Sequence, residues 1–147
     1  MQLAYPADVS VDEEGFYLIK FSGVHGAATD GETMEEAIDN AYECIAEAIA
    51  SVMAEKEPLP LPQKPKEGQI VIPLPSDLAL KASFYFLAKQ SGEPNTALAK
   101  KLGMDEKEVR RMMDPYYGTK TPKLWEAIKK LGGEITVCLD VKRGRAA

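Results

Sequence analysis

Four carboxylates early in the chain, Asp8, Asp12, Asp30 and Glu36, are of the residue type that could hold two divalent cations and cleave a phosphodiester. Their positions argue for other roles. Asp12 sits in an acidic turn, Val11-Asp12-Glu13-Glu14-Gly15, and Glu36 stands where a helix cap would use it. His25 is the single histidine and lies between Gly23 and Gly26 with no Ser, Cys or Asp partner set by spacing, so it reads as a loop residue and not a general base. Cys44 and Cys138 are far apart, and each falls in an apolar periodic segment, as buried free cysteines do. The sequence therefore predicts no catalytic residue, no metal site and no cofactor. An enzymatic reading would demand metal-dependent RNA cleavage that Asp12→Asn abolishes.

A different chemistry is written between Asn95 and Met112. The run Asn95-Thr96-Ala97-Leu98-Ala99-Lys100-Lys101-Leu102-Gly103-Met104-Asp105-Glu106-Lys107-Glu108-Val109-Arg110-Arg111-Met112 has the spacing of a helix-turn-helix. Ala99 is small where two helices would cross, and Gly103 suits a tight turn. Leu98, Leu102, Val109 and Met112 or Met113 supply the inward residues. With Val109 and Met112 inward, helical geometry turns Lys107, Arg110, Arg111 and Asp114 outward, toward a major groove. Asn95, Thr96, Lys120 and Lys123 are then placed to hold phosphates. The plain alternative is a small helical bundle with a basic face. Glu106 and Glu108 suit the helix dipole but repel phosphate, which predicts modest affinity that depends on dimerisation.

The elements that position these residues follow from periodicity. Gln2 to Val9 and Phe16 to Phe21 read as a hairpin, with a third strand expected around His25 to Thr29. Thr33-Met34-Glu35-Glu36 matches a capping box. The helix it opens carries Met34, Ile38, Ala41, Ile45, Ala48 and Val52 inward, with Ala37, Cys44, Ile49 and Met53 widening the same face and Glu35, Asp39, Glu43, Glu47 and Glu55 toward solvent. The proline-rich stretch from Glu57 to Pro65 cannot continue a helix and reads as a stiff spacer. Gln69 to Leu74 is a short strand that either returns to the first sheet or joins two modules. Further helices are expected over Leu78–Lys89, Thr96–Leu102 capped by Asn95, Glu106–Met113 capped by Asp105, and Thr121–Leu131, whose apolar face holds Trp125 as an expected core residue. Glu134 to Val141, EITVCLDV, reads as a last strand and a candidate dimer edge, followed by basic Lys142, Arg143 and Arg145.

Composition divides the 147 residues in two. Residues 1 to 66 hold four Lys against 13 Asp and Glu, a net of −9, whereas residues 67 to 147 hold 14 basic against 10 acidic residues, a net of +4. Opposite signs predict two modules with different partners, a basic protein for the first and phosphate for the second. No apolar run is long enough to span a membrane, and Met1 to Gly15 lacks the layout of a secretory signal, so the expected location is the cytoplasm.

In Tyr5-Pro6-Ala7, Glu14-Gly15-Phe16-Tyr17, Ala28 to Ala37, Glu57 to Pro62 and Ile72-Pro73-Leu74-Pro75, followed by the helix-turn-helix, the chain resembles the HicB-type antitoxins of bacterial HicAB toxin–antitoxin systems. Phe21 to Gly26 departs from that family's usual proline- and cysteine-bearing stretch. The resemblance implies a partial RNase-H-like domain without nuclease activity that neutralises a HicA-type messenger-RNA-cleaving toxin. It also implies a helix-turn-helix domain that represses its own operon on operator double-stranded DNA as a homodimer or tetramer.

The expected fold is thus α+β: a small antiparallel sheet with one long helix over residues 1–66, a linker at 67–76, and an all-helical DNA-binding domain with a terminal strand over 77–147. Charge nominates Asp12, Glu13, Glu14, Asp30 and Glu32 as toxin contacts. The alternative function is a ligand-sensing transcriptional regulator not paired with a toxin.

Overall fold

The computed structural model describes residues 1–142; Arg143 and Arg145 of the expected basic tail lie outside the described residues. Strands β1 (Ala4–Val11) and β2 (Tyr17–Phe21) form the expected hairpin, with Ala7 opposite Phe21 and Val11 opposite Tyr17. The Asp12 carboxylate closes its turn by accepting from the amides of Glu14 at 2.9 Å and Phe16 at 2.8 Å. β3 (Ala28–Gly31) begins later than expected, because Val24 and Ala27 are drawn into the core around the exposed His25-Gly26 turn.

β4 (Ile70–Pro73) arises inside the stretch expected as a linker and pairs antiparallel with β1, completing the order β3-β2-β1-β4. Burial drives this return. Tyr5 faces Ile72 across the pair, and both are almost fully enclosed.

Helix α1 (Met34–Ala54) lies across the inner sheet face. Thr33 Oγ1 accepts from the Glu36 amide at 3.1 Å, and Glu36 reaches back to the amide of Glu32 at 3.0 Å, one residue before the cap. The buried stripe runs through Ala37, Ala41, Ile45, Ile49 and Met53, within the expected face and toward the side that Ala37, Ile49 and Met53 widen. Its alanines let the helix approach closely: a β-carbon on Gly31 would stand 2.4 Å from the Ala37 amide nitrogen.

The proline stretch is extended, as expected, but it is strapped to this first core and does not stand free. Leu59 is buried, Tyr5 Oη donates to the Pro60 carbonyl at 2.9 Å, and Tyr85 Oη donates to the Glu57 carbonyl at 2.6 Å.

Four helices follow: α2 (Ser76–Ser91), α3 (Asn95–Leu102), α4 (Glu106–Met113) and α5 (Thr121–Lys130). α2 serves two cores. Ala82 and Tyr85 join the sheet and α1, while Phe84 and Ala88 join Leu98, Leu102, Val109, Met112, Leu124 and Ile128 in a second cluster. A helix buried on opposite sides shows no single apolar stripe, which is why the enclosure of Lys81 and Phe84 escapes the periodicity.

Three expectations change. Asn95 is the first residue of α3, after Pro94, and makes no side-chain cap bond. Trp125 is 36 % exposed and so is not a core residue, because Leu124, Ala127 and Ile128 form the inward face of α5. Glu134 to Val141, expected as a strand, makes no strand pairing among the described residues, and Cys138 is exposed.

Candidate functional site

α3 and α4 are joined by Gly103-Met104-Asp105, and the chain reverses because Gly103 takes φ +68°, a left-handed value that strains any residue with a β-carbon. The Asp105 carboxylate then caps α4 by accepting from the Glu108 amide at 2.8 Å. Ala99, Leu98, Leu102, Val109 and Met112 are all buried, as their spacing predicts. Glu106, Lys107 and Arg110 consequently face outward.

The outward basic residues carry loose partners. Arg110 stands 3.9 Å from Glu106 one turn earlier, and Lys123 of α5 is ion-paired and hydrogen-bonded to Glu108. Exposed pairs of this kind are worth at most about 1 kcal/mol and can be exchanged for a phosphate. Arg111 is half-buried and lies 5.0 Å from the centre of the Tyr117 ring.

A groove of about 370 Å³ brings Arg111, Lys120 and Lys123 together with Glu108, Tyr117 and Thr119. The Thr119 hydroxyl is shielded there without a hydrogen-bond partner among the described residues. Asn95 and Thr96 lie apart from this groove, at the start of α3, where Asn95 instead lines a cleft of about 450 Å³ with Arg110, Met113 and Tyr116.

One residue of this region is invisible in the sequence. Lys81, on α2, is 5 % exposed and donates through Nζ to the main-chain carbonyls of Arg111 at 2.9 Å and Asp114 at 2.5 Å. It closes the C-terminal end of α4, where the dipole is negative and the carbonyls of Arg111 and Asp114 otherwise accept only from the amides of Asp114 and Tyr117, each at 3.3 Å. Desolvation lowers its pKa below the usual lysine value, opposed by nearby Asp114 and Asp77. Its partners lie 30 and 33 residues downstream, so no local pattern announces it.

The acidic candidates cluster at one end of the sheet. Val11, Tyr17 and Gly31 are in register across three strands, which sets the Asp12–Gly15 turn beside Asp30 and Glu32. Glu13, Glu14, Asp30 and Glu32 are exposed, whereas Asp12 is committed to holding its turn. A second acidic surface is not legible in the sequence: a groove of about 780 Å³ between residues 23–27 and the later half of α1 carries Glu47, Glu55 and Glu57. Its components are dispersed in sequence and meet only through the packing of α1.

The four carboxylates first considered for metal binding do not assemble. Asp12 and Glu36 bind backbone amides, and among the described residues no three His, Cys, Asp or Glu side chains come close enough to hold an ion. Among those residues, no helix is long and apolar enough to cross a membrane.

Comparison with known proteins bears on what this arrangement is for. Residues 4–83, comprising the whole sheet, α1 and the first half of α2, match a family model described as HicB-like antitoxin of bacterial toxin-antitoxin system. The chain is 27% identical over 137 residues to Antitoxin HicB of Escherichia coli (strain K12), covering 93% of this chain and 99% of that protein. It is likewise 27% identical over 138 residues to Antitoxin HicB 1 of Photorhabdus laumondii, covering 94% and 88% respectively. Antitoxin HicB of Pseudomonas fluorescens (strain Pf0-1) is 26% identical over 111 residues, 75% of this chain and 76% of that one. These matches favour a toxin-paired protein over the alternative of a regulator unpaired with a toxin. An acidic sheet-and-helix head that matches the family model, and similarity that continues through the basic helices, lead to one conclusion: the chain belongs to the HicB-like antitoxin family of bacterial toxin–antitoxin systems.

Proposed function

We propose that this antitoxin works in the cytoplasm by two separable, non-enzymatic contacts. Its acidic head neutralises a small basic HicA-type mRNA interferase. Its α3–α4 unit binds operator double-stranded DNA as a homodimer or tetramer and so represses the antitoxin's own operon. The observation that carries the reading is the division of charge: the net is −9 over residues 1–66 and +4 over 67–147. Opposite fields steer opposite partners and discourage the wrong ones.

For the DNA contact, Lys107 and Arg110 project from a short helix whose other face is locked by Val109 and Met112. Arg111, Lys120 and Lys123 line the adjoining groove, and Asn95 and Thr96 open α3. That combination suits a helix lying in a major groove with flanking phosphate contacts. For the toxin contact, Glu13, Glu14, Asp30 and Glu32 offer exposed carboxylates, and Asp12 holds the turn that presents two of them.

The test uses full-length protein and the product of the adjacent small open reading frame. Arg110→Ala with Arg111→Ala should weaken a promoter gel shift while growth rescue from the toxin persists. Glu13→Lys with Glu14→Lys should do the reverse. Equal loss of both activities in either folded variant would show that the contacts are not separate.

A further inference from the structure

The cleft of about 450 Å³ where the end of α1 meets α2 and α4 has an apolar floor and a basic mouth. Met53 and Tyr85 are buried and form the floor, with Met113 half-buried beside them. Lys56, Lys89 and Arg110 are exposed and stand at the mouth. The volume falls in the lower part of the roughly 300 to 1,000 Å³ that small-molecule sites occupy.

The donors at this mouth are not spent inside the protein. The Lys56 and Lys89 ammoniums have no carboxylate partner among the described residues, and Arg110 has only its loose, exposed pair with Glu106 at 3.9 Å. The side chain of Asn95, which lines the same cleft, makes no hydrogen bond among the described residues. Asp114 is the single acid in the lining, and its Oδ1 already accepts from the Tyr116 amide at 2.9 Å.

Lys56 holds its place against backbone preference. It follows α1 at φ +61°, donating its amide to the Met53 carbonyl at 3.1 Å while the Glu57 amide donates to the Val52 carbonyl at 3.0 Å, a turn whose usual occupant is glycine. A side chain at that φ is strained, and here the strained residue carries one of the three cations of the mouth. Lys89 is fixed beside it: Nζ donates to the Lys56 carbonyl at 3.1 Å and lies 5.6 Å from the centre of the Tyr85 ring.

We propose that this cleft binds a small aromatic acid, with its ring against Met53, Met113 and Tyr85 and its carboxylate among Lys56, Lys89 and Arg110. Methionine thioethers pack favourably on aromatic rings. A guanidinium matches a carboxylate through two parallel hydrogen bonds, and the two ammoniums add charge that the lining leaves uncompensated. Arg110 is also offered to the duplex, so ligand and duplex compete for one side chain. That consequence rests on the DNA reading, whereas the binding itself does not. When the two are mutually exclusive, a ligand at ten times its dissociation constant weakens duplex binding about tenfold.

Benzoate and naphthoate serve as probes on full-length protein. Titration calorimetry should show one site per chain that binds naphthoate with a dissociation constant below about 1 mM. Inorganic phosphate, which lacks the ring, and naphthalenemethanol, which lacks the charge, should each bind at least about tenfold more weakly than naphthoate. Lys56→Gly removes the ammonium at a position whose backbone suits glycine, so the fold is kept. Combined with Lys89→Gln, it should weaken naphthoate more than about tenfold. In a promoter gel shift, the ratio of duplex affinities without and with naphthoate should be about ten for the parent protein and near one for this double variant.

Failure of both aromatic acids to bind overturns the site, as does unaltered naphthoate affinity in the double variant. Phosphate or the neutral alcohol binding as tightly as naphthoate overturns the assignment to an aromatic acid. Calorimetric binding that the double variant loses, in a protein that shifts no promoter, supports the cleft and overturns the DNA reading alone. The same binding with a promoter shift that ignores the ligand supports the cleft and overturns the competition through Arg110.

Discussion

The hydroxyl of Tyr116 donates to Oε1 of Glu47 at 2.9 Å, joining the loop behind α4 to the acidic side of α1 across 69 residues. With Lys89 Nζ donating to the Lys56 carbonyl at 3.1 Å and Tyr85 Oη bound to Glu57, it fastens the family-matched head to the basic helices. The bond to the Glu47 carboxylate, with smaller contributions from desolvation and nearby acids, raises the pKa of Tyr116. Because both side chains are exposed, Tyr116→Phe should leave the urea midpoint nearly unchanged while speeding amide exchange in residues 114–120. A large drop in the midpoint would show that the bond matters to global stability.

Lys81 is the stronger tie. Lys81→Met keeps most of the apolar stem but removes the buried ammonium from the carbonyls of Arg111 and Asp114, which retain only the amides of Asp114 and Tyr117, each at 3.3 Å, and this should destabilise the protein by about 1 to 3 kcal/mol. The last turn of α4 should fray with it, so duplex affinity should fall although Lys81 itself touches no phosphate. Urea unfolding and gel shift measure the two effects. An unchanged stability would mean that water replaces the ammonium at no cost.

The basic residues of the proposed duplex contact should differ in salt sensitivity. Lys107 is exposed on α4 without an ion pair among the described residues, while Lys123 is paired to Glu108. Lys107→Ala should lower the slope of log affinity against log salt by about one. Lys123→Ala should lower it less, since breaking its ion pair offsets part of any phosphate contact. Equal slopes for both variants and the parent protein would remove Lys107 from the interface.

Tyr5 makes stability fall in alkali. Burial pushes its pKa up to about 12 from 10.0, so the folded state holds a proton that the unfolded chain releases earlier. The resulting stabilisation is complete below pH 10 and is lost as pH rises from 10 toward 12, by up to about 3 kcal/mol. Tyr5→Phe should remove this part of the pH dependence while losing about 1 kcal/mol at neutral pH with the bond to Pro60. Urea titrations at several alkaline pH values in both proteins give the difference directly.

Local rules carried the sequence far in some places. The Asp12 turn, the Thr33 cap with Glu36, the Gly103 turn and the Asp105 cap each depend on residues within four positions of one another, and each stands as expected. The outward direction of Lys107 and Arg110 was equally legible, because Val109 and Met112 set the rotation of α4 by themselves. The division of charge needed only counting.

The sequence by itself therefore determined the elements, their caps and the sign of each surface, since these arise from backbone geometry and composition over a few residues. The tertiary structure alone decided that β4 returns to β1, that the proline stretch is strapped down by Tyr5 and Tyr85, and that α2 belongs to both cores. It also decided that Lys81 ends α4 and that Glu47, Glu55 and Glu57 share a groove. Each of these joins residues tens of positions apart, where burial of apolar surface and pairing of enclosed polar groups select one arrangement among many that local preference leaves equal.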